Sequence, residues 1–267
     1  MESPTTAGDV LTSHSHATVC KNCGANLDGK FCQQCGQKAD IHRITLPHLL
    51  HEFFHVLTHA DKGILFLAKE MVYKPGVVAA EYIAGQRKKY FNPLSFLVII
   101  SAIFALVALN SGYFEAMSAG PSRTSYGKMP PIYAQYMKES MYIVVHHGKM
   151  ISIILIVPIL TFLSWLFFKK KGYNFAENLV LQALIVGQIH LSMILLFIPA
   201  YLLFGAARLN NNVFQATFFV YMIVAYRQFF KNSILVTVLK TACIQFLFIV
   251  SFWLLIVLFL LVKHLFV

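Results

Sequence analysis

The sequence has few charged residues, and acidic ones are the scarcest. Charged residues make up 12% of the chain, and after Glu139 only one further acid, Glu177, occurs. Soluble globular domains carry about 25% charged residues, so this composition argues against an ordinary soluble domain. Hydrophobic residues instead reach 58%, with a mean hydropathy of +0.65. The composition predicts an all-α membrane protein.

The sequence predicts no exported leader, and its cysteines are clustered, not dispersed. The first forty residues contain no apolar core of the length that an exported leader needs, and residues 1–19, rich in Ser, Thr, Gly and His, are predicted to be a disordered lead-in. Four of the five cysteines fall between residues 20 and 35. We therefore expect a cytoplasmic N-terminus, where reducing conditions favour metal ligation over disulfides.

Two C-x-x-C-G turns lie close together in this stretch. The run C-K-N-C-G begins at Cys20 and the run C-Q-Q-C-G begins at Cys32. In such a turn the backbone N–H groups point at sulfur, and glycine allows the positive φ that closes the turn. Residues 20–37 are therefore predicted to form a zinc ribbon, with Cys20, Cys23, Cys32 and Cys35 as the ligands of one tetrahedral Zn²⁺.

A shell of four thiolates leaves no open position, so this zinc is expected to be structural and to supply the folding energy of a short segment. Iron in a rubredoxin-like site is the alternative, although such iron usually accompanies an electron-transfer domain. The ribbon's lysines are balanced by Asp28 and Asp40, so we expect no nucleic-acid partner. A contact with a protein partner or a role in folding is expected instead.

Residues 44–93 are predicted to form amphipathic juxtamembrane helices. Between residues 46 and 57 the apolar residues make one helical stripe, and histidines with Glu52 occupy the opposite side. This segment is too interrupted to span a bilayer, so we expect it in the membrane interface. The run Lys74-Pro75-Gly76 breaks the pattern, and a second helix is predicted from Pro75 to Ala84, ending at Gly85.

Residues 94–267 are predicted to form a bundle of about five transmembrane helices. Each apolar segment has roughly the length that crosses a bilayer. The fourth is the weakest, because polar residues interrupt it, and a re-entrant element is the alternative there. The predicted spans are residues 94–109, 151–168, 179–204, 213–230 and 244–262.

Three basic clusters flank these segments and predict the orientation. If five spans alternate, all three clusters fall on one face, which places the N-terminus in the cytoplasm and the C-terminus outside. The first cluster lies beside Tyr90 and is expected to contact anionic lipid headgroups of the bilayer. The clusters are Arg87, Lys88 and Lys89; Lys169, Lys170 and Lys171; and Arg227, Lys231 and Lys240.

The string His51-Glu52-Phe53-Phe54-His55 matches H-E-x-x-H. On a helix its two histidines can bind Zn²⁺ while the glutamate acts as general base, so a membrane zinc metallopeptidase using His51, Glu52 and His55 is one hypothesis. A histidine-rich polar face produces the same string by chance, and no L-D-G-type ligand follows in a later span. We therefore assign no catalytic residue, and whether this helix binds a second metal stays open.

Glu177 and His190 are polar residues of the third predicted span. Such residues can mark ion or proton paths, so a transporter or channel component using these two side chains is a further hypothesis. The alternative for Glu177 is an ion pair with Lys169, Lys170 or Lys171, or a place among lipid headgroups. The alternative for His190 is an interhelical hydrogen bond.

Several strings resemble an uncharacterised bacterial family of polytopic membrane proteins headed by a zinc ribbon, classed as a domain of unknown function. The resemblance implies a multi-pass protein of the bacterial inner membrane without an assigned reaction, and a defined juxtamembrane element before the first span. The strings are the two cysteine turns, H-A-D-K-G from His59, K-P-G from Lys74, E-Y-I-A-G-Q-R-K-K-Y-F-N-P from Glu81 and Y-N-F-A-E-N-L-V from Tyr173.

The sequence as a whole favours a non-enzymatic membrane protein. The leading hypothesis is a scaffold, regulatory or assembly component whose cytoplasmic ribbon contacts a partner or braces the interfacial helices. The peptidase and the transporter or channel component are the alternatives from other functional classes.

Overall fold

A computed structural model describes residues 19–47, 49, 63–113, 139, 155–205 and 207–265. Over these residues the protein is α-helical, and its only β pairing is two isolated bridges in the cysteine-rich segment, Val19 with Asn26 and Phe31 with Lys38. The helices are α1 Ile64–Tyr73, α2 Pro75–Ala84, α3 Pro93–Asn110, α4 Val157–Phe168, α5 Phe175–Ser192, α6 Ile198–Phe204, α7 Ala207–Phe230 and α8 Ile234–Leu265. A π-helical segment, Met193–Phe197, joins α5 to α6.

Four helical stretches of the described chain are long and apolar enough to cross a membrane, by length and composition. The prediction of an all-α membrane protein is therefore confirmed. The weakest predicted span, residues 213–230, lies within the continuous helix α7. The predicted span 151–168 is described only from residue 155, where α4 covers its second part. The four stretches are Pro93–Asn110, Phe175–Phe204, Asn211–Phe230 and Ile234–Phe259.

Local signals explain where the helices begin and end. Helix α2 starts with Pro75 and ends at Gly85, which has a φ of +117°, as the sequence predicts. The side chain of Asn92 accepts hydrogen bonds from the N–H groups of Leu94 and Ser95, and Pro93 follows as the first residue of α3. These caps satisfy backbone groups that a helix end otherwise leaves unpaired.

Helix α5 is the centre of the bundle and contacts α2, α3, α4 and α7. Gly187 lets the ring of Phe96 lie against its backbone, since a Cβ at Gly187 would be 2.7 Å from that ring. The stretch Phe175–Phe204 has 30 residues, a length of about 45 Å, whereas a hydrocarbon core is about 30 Å thick. Phe96 is near the start of α3, whereas Gly187, which it faces, lies well inside α5. The first turns of α5 therefore extend beyond the start of α3.

The three basic clusters lie at the same end of the bundle, which we call the ribbon side. The ammonium of Lys240 donates to the carbonyl of Phe167 at 2.6 Å. The ring of Phe230 stacks on Phe168 with centroids 3.9 Å apart, so the end of α7 lies beside the end of α4. Arg43, which follows the cysteine turns, donates to a carbonyl of the same α4–α5 connection. This clustering is the arrangement that alternating spans predict.

Several predicted features fall outside the described residues. These are the disordered lead-in, apart from Val19, the amphipathic stripe between residues 46 and 57, apart from residues 46, 47 and 49, and the H-E-x-x-H string. The peptidase hypothesis therefore stays a prediction from the sequence.

Candidate metal centre and its contacts

The four predicted metal ligands converge on one point. The Sγ atoms of Cys20, Cys23, Cys32 and Cys35 all lie within 4.8 Å of one another. The Sγ atoms of Cys20 and Cys35 are 3.6 Å apart, and those of Cys23 and Cys32 are 3.5 Å apart, too far for a disulfide bond of about 2.05 Å. A tetrahedral ion with bonds of about 2.3 Å to sulfur places the sulfurs about 3.8 Å apart. The four cysteines can therefore bind one metal ion.

The two cysteine turns have the same backbone geometry. The N–H of Gly24 donates to the carbonyl of Cys20 at 2.9 Å, and the N–H of Gly36 donates to the carbonyl of Cys32 at 2.8 Å. The φ angles of these glycines are +76° and +69°, a region that side chains with a Cβ rarely adopt. The glycine after each C-x-x-C pair thus closes the turn around its two thiols.

In the Cys23–Cys32 pair negative charge is favoured on Cys32: although the N–H of Ala25 acts to lower the pKa of Cys23, burial and the neighbouring thiols raise that pKa. The N–H of Cys35 is the largest influence on the Cys32 thiol and, with the N–H of Gln34, lowers its pKa to about 7 against the opposing effect of burial. The thiolate is the form that binds a metal. With all four positions taken by sulfur, a bound ion has no position for a substrate.

Both cysteine turns hold the same neighbouring loop, the segment Arg87–Lys89, which we call the basic turn. Asn22, inside the first C-x-x-C pair, accepts a hydrogen bond from the N–H of Lys89 at 3.0 Å. Gln37, just after the second pair, accepts from the N–H groups of Arg87 and Lys88 at 3.1 and 3.2 Å. Three consecutive backbone N–H groups before the first predicted span are therefore bonded to the metal-binding segment.

The cations of the basic turn are engaged unequally. The guanidinium of Arg87 donates to the carbonyl of His42 at 2.8 Å. The ammonium of Lys89 pairs with Glu81 at 2.6 Å and lies over the ring of Tyr90, 5.0 Å from its centroid. Lys88 is exposed. Of the three residues expected to contact lipid headgroups, two thus have partners within the protein.

Glu81 also accepts a hydrogen bond from the hydroxyl of Tyr90 at 2.5 Å. Burial acts to raise the pKa of the Glu81 carboxyl, but the hydrogen bonds from Lys89 and Tyr90 outweigh burial and hold the pKa below its usual value of 4.5. Burial and the Glu81 carboxylate together raise the pKa of Tyr90. The contacts among Glu81, Lys89 and Tyr90 link helix α2 to the start of α3.

Replacing Glu81 with glutamine is expected to weaken the acid dependence of stability. A folded-state pKa below the unfolded value means that the Glu81 carboxylate stabilises the fold at neutral pH, and that this contribution disappears as the pH falls below about 4.5. Thermal unfolding in detergent across this pH range measures the effect. Lys88→Gln is the matched control in the same loop, and an unchanged acid profile in Glu81→Gln would contradict the assignment.

Glu177 is paired with Arg43, and not with Lys169, Lys170 or Lys171 as the sequence had suggested. The Arg43 Nε and Nη2 atoms donate to the two carboxylate oxygens at 2.7 and 2.8 Å, and the Glu177 side chain is only 5% exposed. The lysines are exposed. The segment after the ribbon brings Arg43 to this helix end, a contact that sequence distance concealed.

Asn174 reinforces the same contact between the segment after the ribbon and the bundle. Its side chain accepts from the N–H of Glu177 while the Glu177 side chain accepts from the N–H of Asn174, both at 2.8 Å, which is a capping box. Its amide nitrogen also donates to the carbonyl of Ile44 at 3.0 Å. The string Tyr173 to Val180 therefore contains the docking point of the segment that follows the ribbon.

Two polar side chains deeper in α5 make interhelical hydrogen bonds. His190 Nδ1 lies 2.9 Å from the hydroxyl of Ser101, and its ring stacks on Phe104. Gln182 donates to the hydroxyl of Tyr226 at 2.9 Å. Glu177 and His190 are thirteen residues apart on one helix, a separation of about 20 Å. The two residues named for transport therefore do not share a site.

The described residues thus define a helical, membrane-like protein with a four-cysteine site that can bind a metal ion. The chain is similar, over residues 61–105, to a family described as a protein of unknown function, DUF3667. This stretch includes α1, α2, the basic turn and most of α3. No curated protein and no solved structure matches the chain.

Sequence reasoning missed Asn22, Gln37 and Arg43 as contact residues. Asn22 lies inside the first C-x-x-C pair and Gln37 lies two residues after the second, so their closeness to these cysteines was a usable signal. Arg43 had no such signal, because its partner is 134 residues away.

Proposed function

We propose that this protein is a non-enzymatic scaffold, regulatory or assembly component of the bacterial inner membrane, with a structural Zn²⁺ in a cytoplasmic ribbon. The observation that carries the proposal is the contact of both cysteine turns with the basic turn. A closed shell of four thiolates suits Zn²⁺ and supplies stability, not catalysis.

The metal would act on the membrane part through this contact. Within residues 19–37 the buried side chains are Cys20, Cys32 and Gln37, so the segment has almost no apolar core and depends on the ion for its fold. The positions of Asn22 and Gln37 follow from that fold. A bound ion therefore stabilises the loop that leads into the first predicted span.

The ribbon also offers a surface for a protein partner. The apolar side chains of Val19 and Phe31 are 47% and 54% exposed. Burying apolar surface is favourable, so a partner that covered these side chains would gain binding energy. Both lie on the isolated bridges that flank the cysteine turns. A partner protein covering them would be held at a fixed position relative to the membrane helices.

The orientation that we propose follows from charge. All three basic clusters lie on the ribbon side, and basic residues near span ends favour the cytoplasmic face. The proposed orientation therefore has the ribbon in the cytoplasm and, with five spans, the C-terminus outside.

The test removes the contact without touching a metal ligand. In the double variant Asn22→Ala/Gln37→Ala, we expect the bound metal to remain and hydrogen exchange of the amides in residues 87–89 to accelerate by about tenfold or more. Each lost hydrogen bond contributes about 1 kcal/mol, and about 1.4 kcal/mol corresponds to a factor of ten. Exchange is measured by mass spectrometry on the reconstituted protein.

Gln34→Ala is the matched control, because Gln34 lies in the second cysteine turn with an exposed side chain. It should leave exchange in the basic turn unchanged. If the double variant keeps its metal and its slow exchange, the ribbon does not stabilise this loop and the proposed bracing role is wrong.

A further inference from the structure

Helix α1 has an exposed face that mixes apolar side chains with one lysine. Leu65, Val72 and Tyr73 are 80%, 58% and 72% exposed, and Phe66 is 43% exposed. Lys69 is exposed on the same face, since residues spaced by three, four and seven positions share one side of a helix. Among the described residues Lys69 has no ion-pair partner, because the neighbouring Glu70 is paired with Lys74.

The beginning of α1 lies beside the start of α3. A Cβ at Gly63 would be 3.6 Å from the backbone nitrogen of Phe91. The ring of Phe66 stacks on Tyr90, with centroids 5.9 Å apart. Tyr90 and Phe91 come shortly before Pro93, the first residue of α3, which is the first candidate span.

The end of α1 is attached to α7, another candidate span. The hydroxyl of Tyr221 donates to the carbonyl of Met71 at 2.9 Å. The side chain of Gln228 accepts from the N–H of Gly76 at 3.0 Å, just after the break between α1 and α2. Helix α1 therefore runs from the start of α3 to the ribbon-side half of α7.

The two attachment points lie at a similar depth in the bundle. Phe96, in the first turn of α3, faces Gly187 of α5. Tyr226 of α7 is hydrogen-bonded to Gln182 of α5. Phe214, earlier in α7, contacts Phe197, which comes later in the chain than Gln182. The two contacts show that α7 runs antiparallel to α5. Tyr221, five residues before Tyr226, is therefore near the level of Gly187 and of the first turn of α3. This level is also that of the first residues of the candidate span Pro93–Asn110.

We propose that the outer face of α1 binds an anionic phospholipid of the leaflet on the ribbon side. Leu65 and Val72 contact the acyl chains, and the ammonium of Lys69 binds the headgroup phosphate. A lysine stem covers apolar surface while its charged end reaches the polar headgroups, and helices with this pattern lie at the boundary of headgroups and chains. The surface is separate from the metal centre, so this inference goes beyond the proposed function.

Local quenching of tryptophan fluorescence tests the lipid contact. The two native tryptophans, Trp165 and Trp253, are replaced by phenylalanine, and a single tryptophan is introduced as Val72→Trp or Leu65→Trp. In phosphatidylcholine vesicles with brominated chains, both should be quenched, more strongly by bromine near the headgroup end of the chain than by bromine at its tip. Phe31→Trp, an exposed position on the ribbon, is the control and should stay unquenched.

If neither tryptophan is quenched more strongly than the one in the Phe31→Trp control, protein and not lipid covers this face. The covering protein would be a partner, a second copy or another part of this chain. The proposal would then be overturned. Metal content, measured in the same samples, separates this outcome from a failure of the ribbon.

The role of Lys69 is tested in the Val72→Trp protein. Brominated phosphatidylglycerol should quench this tryptophan more strongly than brominated phosphatidylcholine, and Lys69→Gln should reduce that preference about fivefold, because one basic residue near the surface contributes about 1 kcal/mol. Lys30→Gln on the ribbon is the charge-matched control. A preference that survives Lys69→Gln would overturn the phosphate contact.

Discussion

Cys32→Ser is expected to release the bound metal completely, from one ion per chain to none. A structural zinc site contributes an apparent 10–16 kcal/mol, roughly, in small zinc-binding peptides, and the few buried side chains of residues 19–37 cannot replace that contribution. Elemental analysis of the purified protein measures the metal, and its identity distinguishes zinc from iron. Hydrogen exchange should show that residues 19–37 are unfolded in this variant. The amides of the basic turn should lose their protection from exchange at the same time.

Two other variants serve as controls for the metal count. Cys243→Ser removes the exposed cysteine of α8 and should leave one ion bound. The double variant His51→Ala/His55→Ala should also leave one ion bound if the ribbon is the only site. Loss of a second ion in that variant would instead support the peptidase hypothesis. Retention of metal in Cys32→Ser would show that the four cysteines are not its ligands.

Gly76→Ala is expected to destabilise the helix bundle strongly. A Cβ at Gly76 would lie 2.2 Å from the carbonyl oxygen of Ala225 and 2.6 Å from the backbone nitrogen of Phe229. Backbone atoms cannot rotate away, so α2 and α7 must separate, at a cost of about 1–3 kcal/mol or more. The higher helix propensity of alanine, worth up to about 1 kcal/mol, does not compensate. Thermal unfolding in detergent should show a markedly lower unfolding temperature for Gly76→Ala.

Gly63→Ala is the matched control for this substitution. The nearest atom to its added Cβ would be the backbone nitrogen of Phe91 at 3.6 Å, an ordinary van der Waals distance, so its unfolding temperature should change little. Equal stability of Gly76→Ala and Gly63→Ala would contradict the close packing of α2 on α7.

Local chemistry made the ribbon and one helix predictable. In each C-x-x-C-G run the ligands, the hydrogen bonds and the glycine lie within five residues, so spacing alone determines how the thiols converge. Helix α2 was predictable for a similar reason, because Pro75 and Gly85 act on the backbone of their own segment. The apolar segments identified candidate spans because bilayer thickness sets their length.

Contacts between distant segments could not be predicted in this way. Helix α1 was not distinguished within the juxtamembrane stretch, because its pattern is irregular and its ends are positioned by Tyr90 and Tyr221. For Glu177 the sequence suggested only nearby lysines or lipid headgroups as partners, since sequence reasoning favours close neighbours. The need for glycine at position 76 arises from α7, about 150 residues further along.

The sequence by itself therefore determined the protein class and which four cysteines come together at the candidate metal centre. Both depend on composition and on spacing within short runs, and these act without knowledge of the rest of the chain. Only the tertiary structure decided what the metal centre touches, because Asn22 and Gln37 meet the basic turn 50 or more residues away. Such contacts depend on packing, which places groups by shape and not by their order in the chain.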